Sequence, residues 1–168
     1  MAKPKELSFG EWNEMNSAFH EESDRGAAIL AGSFVEHALG QYIKFRIRDK
    51  KVADTLFDAM GPLASFSQRI AIAYAFDLIS QAQYKDFETI RKIRNHFAHH
   101  PLETTFNTND IKQLCAALSM FKETSHENHP VPGERHRIAY LLSCGISCGR
   151  LLDTIETAAK KVKTGASS

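Results

Sequence analysis

Between Ser80 and Pro101 the apolar residues Tyr84, Phe87, Ile90, Ile93 and Phe97 recur at intervals of three and four. That spacing brings side chains back to one side of an α-helix, whereas a strand alternates every second residue. The stretch is therefore predicted to be an amphipathic helix over about 81–99, with Ser80 as its N-cap and His100-Pro101 as its stop. Opposite the apolar stripe lies a polar shoulder. Arg91, Asn95 and His99 stand four residues apart, displaced about 40° per step, and Arg94 lies about 60° from Arg91.

The rest of the chain reads the same way, and no segment alternates with a period of two over a useful length. A short helix is expected over 9–20, with Trp12, Met15 and Phe19 on one side. Ser23 caps a long helix from Asp24 to about Arg48, with Leu30, Phe34, Ala38, Tyr42 and Phe45 as its inner face. A shorter helix over about 49–59 stops at Gly61-Pro62. Ser65 or Ser67 opens a helix through Leu78, and Asn109 or Asp110 opens another to about Lys122. A polar loop over 123–133 leads into a last helix over about 134–161, and the tail from 162 to 168 is expected to fray. The expected fold class is all-α: residues 1–168 as a single-domain multi-helix bundle of about six to seven helices.

The start of the second helix is unusually smooth, with Gly26, Ala27, Ala28, Ala31 and Gly32. A glycine inside a helix costs about 1 kcal/mol against alanine, so another helix is expected to come close there. The bulky stripe of helix 81–99 is the expected counterpart. An antiparallel pairing would bring the Ser23-Asp24-Arg25 end toward Arg94 and His99. A buried Arg94 would then need a carboxylate such as Asp24 or Glu22.

At 168 residues the chain is long enough to bury a real core, and its net charge of +1 gives no global field toward nucleic acid. Any such binding needs a local patch, or one built across a dimer. Three cysteines, at 115, 144 and 148, suit a reducing compartment better than a disulfide framework. Charges at Lys3, Lys5, Glu6 and Glu11 break any signal-peptide run, and no stretch approaches the roughly 18 apolar residues of a membrane span. The expectation is a cytoplasmic protein.

Catalytic motifs are few. The segment GPLASFSQR lacks the spacing of a phosphate loop, SCGISCG falls inside an apolar helix, and no H-E-x-x-H occurs. His126, His129 and His136 lie near Glu127 and Glu134 at irregular spacing, which fits a solvated loop better than a metal site. No cofactor and no metal is implied. Arg94, Asn95 and His99 are the candidate chemistry: an arginine to stabilise charge on a phosphate, and an imidazole to move a proton. Equally, Glu88 can pair with Arg91 and Lys92, and the terminal histidines can simply suit the helix dipole. An arginine five residues before a histidine arises about 0.4 times by chance in a chain of this composition, so the bare pattern carries little weight.

The fuller string from Arg94 to His99, R-N-x-x-A-H, resembles the helical motif of HEPN domains, which include metal-independent ribonucleases. That resemblance implies an Arg94/His99 pair working across a dimer, with Asn95 orienting the histidine or the phosphate. A second resemblance covers about residues 21–155. ESDRGAAILAGSFVE (22–36), GPLASFSQRIAIAYAFDLIS (61–80) and YKDFETIRKIRNHFAHHP (84–101) are similar, in order, to the core of the mannitol operon repressor family. It implies a compact helical regulator of transcription, with Asp24, Arg25, Arg69 and the Arg94–Asn95–His99 group as shared polar features. Glu22 and Arg91 complete the candidate set.

Direct operator reading is not expected. The only turn-helix candidate is Asp77–Ser80 leading into helix 81–99, which spends its apolar face on the core and starts with Asp86 and Glu88. The expected partners are another regulatory protein or RNA, with the chain as a homodimer. The competing class is a metal-independent endoribonuclease.

Overall fold

The computed structural model describes residues 18–19, 21–100, 104–123 and 134–165. Among them every regular element is helical: α1 (Asp24–Arg46), α2 (Lys50–Leu56), α3 (Phe66–Ala75), α4 (Gln81–His99), α5 (Asn109–Ala116), a 3-10 turn (Ser119–Glu123) and α6 (Glu134–Gly165). Residues 124–133 of the loop expected over 123–133, residues 166–168 of the tail expected over 162–168, and Trp12 and Met15 of the expected first helix lie outside the described residues. Glu123 ends the 3-10 turn, and 162–165 continue α6 where fraying was expected. Phe19 is buried in the core.

Local chemistry sets most helix starts. The Ser23 hydroxyl accepts from the Gly26 N–H at 3.1 Å, and Asp49 accepts from Lys51 and Val52 at the head of α2. Both α3 and α4 open on a reciprocal box, Ser65 with Gln68 and Ser80 with Gln83. The predicted bounds of α4 agree with the structure.

Four helices end short of expectation: α1 at Arg46 against about Arg48 and α2 at Leu56 against about 59, and two more for reasons the structure makes plain. α3 stops at Ala75, not Leu78, because Asp77 takes a left-handed backbone with φ 55°. There the Leu78 and Asp77 N–H groups turn back to the carbonyls of Ala73 and Tyr74, at 2.8 and 3.0 Å. The helix expected over 109–122 breaks after Ala116. The cause is long-range: the Asp86 carboxylate on α4 accepts from the Ser119 N–H at 3.0 Å, while Leu118 is buried.

α1 is the central element. It packs on α6, α4 and α3, while α5 closes against α4 and α6. Tyr42 Oη donates to the Leu78 carbonyl at 3.3 Å, and Asp24 accepts from the Phe106 N–H at 3.0 Å, so α1 runs antiparallel to α4. Pairings of Asp24 with Arg137 and Ala28 with Tyr140 make it parallel to α6.

The expected inner face of α1 needs correction. Ala38 and Tyr42 are buried, but Leu30 and Phe45 are each 40% exposed. The buried side is Ala27, Ala28, Ala31, Gly32, Val35, Ala38, Leu39, Tyr42 and Ile43. Small residues won this face because two helices crowd it at once. A Cβ at Gly32 would sit 2.7 Å from Tyr140 Oη and 2.9 Å from Arg94 Cβ. The bulky stripe of α4 does supply the expected counterpart, with Phe87, Ile90, Ile93 and Phe97 fully buried. Tyr140 of α6 shares that role and donates to the Ala28 carbonyl at 2.7 Å.

By length and composition alone, Glu134–Lys161 of α6 is long and apolar enough to cross a membrane, although no uninterrupted apolar run spans it. Its apolar side is occupied within the bundle, where Ala139, Tyr140, Cys144, Cys148 and Leu151 are buried.

Candidate functional site

The polar centre of the bundle is Glu36, a carboxylate on α1 facing two arginines. Arg94 Nη1 on α4 donates to Glu36 Oε2 at 2.8 Å. Arg69 Nη1 on α3 lies 3.6 Å from Glu36 Oε1 and also donates to the Glu36 main-chain carbonyl at 3.3 Å. The remaining Arg69 bonds go to the carbonyls of Leu63 and Ala64, at 2.9 and 3.2 Å, so this one side chain ties the entry turn of α3 to α1. Aromatic rings complete the surroundings, Phe57 under Arg69 at 5.0 Å and Phe66 under Arg94 at 5.6 Å. Burial lowers the Arg69 pKa, opposed by Glu36 and reinforced by the nearby Arg94 charge. The three side chains keep about a fifth of their surface exposed. Arg94 Nε is buried without a hydrogen-bond partner.

The other candidate residues fall in separate places. His99 is exposed at the end of α4, where the tilted rings of His96 and His100 lie with centroids 4.6 Å apart. Asn95 is half-buried. Arg91 forms a two-point bond to Glu88, at 2.8 and 3.2 Å, which raises its pKa. Arg25 is exposed. Asp24 approaches the far end of α4, as expected, but its partners are the Phe106 N–H and Arg137 Nη1 at 2.7 Å, not Arg94. Glu22 contributes its main-chain carbonyl to Arg137, and Phe19 does the same at 3.0 Å.

Arg94 therefore has the acidic partner that a buried guanidinium needs, but it is Glu36 in place of Asp24 or Glu22. The geometry is that of an internal ion-pair hub, with the histidine outside it. Glu36 and Arg137 were missed by sequence reasoning. A signal existed for Glu36: it is the only acid between Arg25 and Arg48. Arg137 had none, because its partners lie more than 110 residues away. No group of three metal-ligating side chains occurs among the described residues. His126, Glu127 and His129 lie outside them, and the His136 ring stands 5.3 Å from Phe121.

Comparison with known proteins places this architecture. The family model described as Mannitol repressor matches residues 37–147, about two thirds of the sequence. The chain belongs to the mannitol repressor family. Its fold is shared by a chain in the X-ray structure of the MtlR-HPr complex from Escherichia coli, with a TM-score of 0.64 at 20% identity, covering 86% of this chain and 97% of that one. It is also shared by a possible transcriptional regulator, YggD, from Shigella flexneri, with a TM-score of 0.67 at 11% identity, covering 89% and 99%. No curated protein gives a significant match. The matched family segment contains Arg69, Arg91, Arg94, Asn95 and His99, while Glu36 stands immediately before it. Within this mannitol repressor family fold, nothing in the geometry favours the ribonuclease alternative.

Proposed function

We propose that this chain regulates transcription by binding a partner protein and does not read operator DNA with a recognition helix of its own. The observation that carries this reading is the likeness, over nearly the whole of both chains, to a family protein whose structure was solved in complex with the protein HPr. The set of side chains on α4 agrees with it. Phe87, Ile90, Ile93 and Phe97 are committed to the core, Asp86 holds the Ser119 N–H, and Glu88 holds Arg91. These engagements leave α4 poorly suited to a major groove, where a recognition helix presents free side chains to base edges.

In this reading the Glu36–Arg69–Arg94 hub fixes the relative positions of α1, α3 and α4 and thereby the surface offered to the partner. The setting is cytoplasmic, in keeping with three buried free thiols. The experiment is titration calorimetry of the purified protein with HPr, beside a gel-shift assay on promoter DNA. A saturable complex with HPr and no shift of duplex DNA is the expected result. A sequence-specific DNA shift without HPr binding would overturn it.

A further inference from the structure

We propose that the corner between α1 and α2 is a contact surface for single-stranded nucleic acid. Residues 44–51, KFRIRDKK, hold five cations, Lys44, Arg46, Arg48, Lys50 and Lys51, against the single acid Asp49. That local excess of four charges sits in a chain whose total is +1, so the remainder is net negative. Every residue from 44 to 52 except Ile47 is exposed.

Little of this charge is neutralised at the corner. Lys44 lies 3.6 Å from Asp54 and 4.9 Å from the Phe57 ring centroid. The Asp49 carboxylate is occupied as the cap of α2. Arg46, Arg48, Lys50 and Lys51 have no ion-pair partner among the described residues.

Fold stability does not account for the arrangement. Lys44 and Arg46 suit the negative end of the α1 dipole, but Lys50 and Lys51 occupy the first turn of α2, the positive end, where cations are disfavoured. Four like charges within six residues also repel one another. Lys50 and Lys51 thus work against their own helix, and a bound polyanion would relieve both that penalty and the mutual repulsion.

Two features select the kind of polyanion. Exposed cations gain little from the scattered carboxylates of a protein surface, whereas a phosphate strand releases condensed counterions as it is neutralised. Phe45, 40% exposed between Lys44 and Arg46, presents a ring on which an unpaired base can stack. A duplex keeps its base faces inside. This surface is separate from the protein-partner reading above and stands or falls independently of it.

The test is fluorescence anisotropy with labelled U12 RNA and dT12 DNA on wild type, Phe45→Ala and the triple variant Arg48→Glu/Lys50→Glu/Lys51→Glu. With about four phosphates neutralised, the affinity of wild type should fall about 50-fold between roughly 50 and 200 mM salt. The triple variant should bind at least about tenfold more weakly while melting no lower than wild type, since the new acids suit the α2 dipole. Phe45→Ala should weaken single-strand binding at least about fivefold. HPr titration of the same variants should be unchanged, which separates failure here from failure of the partner reading. Absence of wild-type binding at about 50 mM salt, binding insensitive to charge reversal, equal affinity for a 12-base-pair duplex, or displacement of RNA by poly-glutamate at matched charge would each overturn the proposal. A lower melting temperature in the triple variant would assign the cations to the fold itself, with the same consequence.

Discussion

Glu36 and Arg94 are 58 residues apart in the sequence and 2.8 Å apart in the fold, with Arg69 on the other carboxylate oxygen. One acid thus compensates two partly buried guanidinium groups. Glu36→Gln removes the compensation and leaves both cations facing each other. Breaking a fully buried pair costs about 3–5 kcal/mol; with a fifth of each side chain exposed here, the expected loss is about 2–3 kcal/mol. Urea unfolding measures it, and a loss below about 0.5 kcal/mol would contradict the hub. Glu36→Gln combined with Arg94→Gln should recover part of the loss, because the second change removes the uncompensated charge.

Gly32→Ala is expected to destabilise the protein although alanine is the better helix former. The propensity gain is about 1 kcal/mol. Against it stand a Tyr140 oxygen at 2.7 Å and Arg94 Cβ at 2.9 Å from the new methyl group. Overpacking of that kind costs about 1–3 kcal/mol, and tyrosine cannot retreat without losing its bond to the Ala28 carbonyl. A midpoint raised by this substitution would refute the close approach.

Asp77→Gly should act in the opposite sense. Asp77 holds φ at 55°, and the turn it makes is closed by the N–H bonds to Ala73 and Tyr74. Glycine adopts that conformation freely, so a gain of about 0.5–1 kcal/mol is expected in thermal or urea melts. Asp77→Val, branched at Cβ, should lose stability at the same position.

Alkaline solution should weaken the fold through its thiols. Burial pushes the Cys115 thiol up to about 12 and raises Cys144 and Cys148 as well. Unfolded cysteine ionises near about pH 8.5, so the protonated native thiol contributes stability fully below that pH. The contribution is lost as pH rises from there toward about 12, at about 1.4 kcal/mol per pH unit for each thiol. Urea midpoints measured between about pH 8 and 10 should fall less steeply for Cys115→Ala than for wild type. Parallel slopes would argue against burial as the cause.

What the sequence made legible was local. α4 was readable because its Ser80 cap, its apolar stripe and Pro101 all act within a turn or two of their own positions. The partners of Arg94 and Asp24 were not readable, since Glu36, Phe106 and Arg137 reach them only through tertiary packing. α1 shows the middle case. It is apolar on more than one side, so periodicity named a helix but not its inward face. The small side chains were decisive, and Gly32 pointed to them more truly than the larger Leu30 or Phe45. The break after Ala116 was hidden for a similar reason, as it depends on a carboxylate 33 residues away.

The parallel seam between α1 and α6 has a kinetic consequence. Ala28 meets Tyr140 across 112 residues, and Asp24 meets Arg137 across 113. Contacts of such span form slowly, because a long loop must close before any of them is rewarded. During synthesis α1 and α4 can pair early, while the part of the small-residue face of α1 that meets α6, around Ala28, stays open to water until α6 has been made. In that interval a smooth apolar strip is exposed to non-native association, and the closing of α6 is the step that covers it.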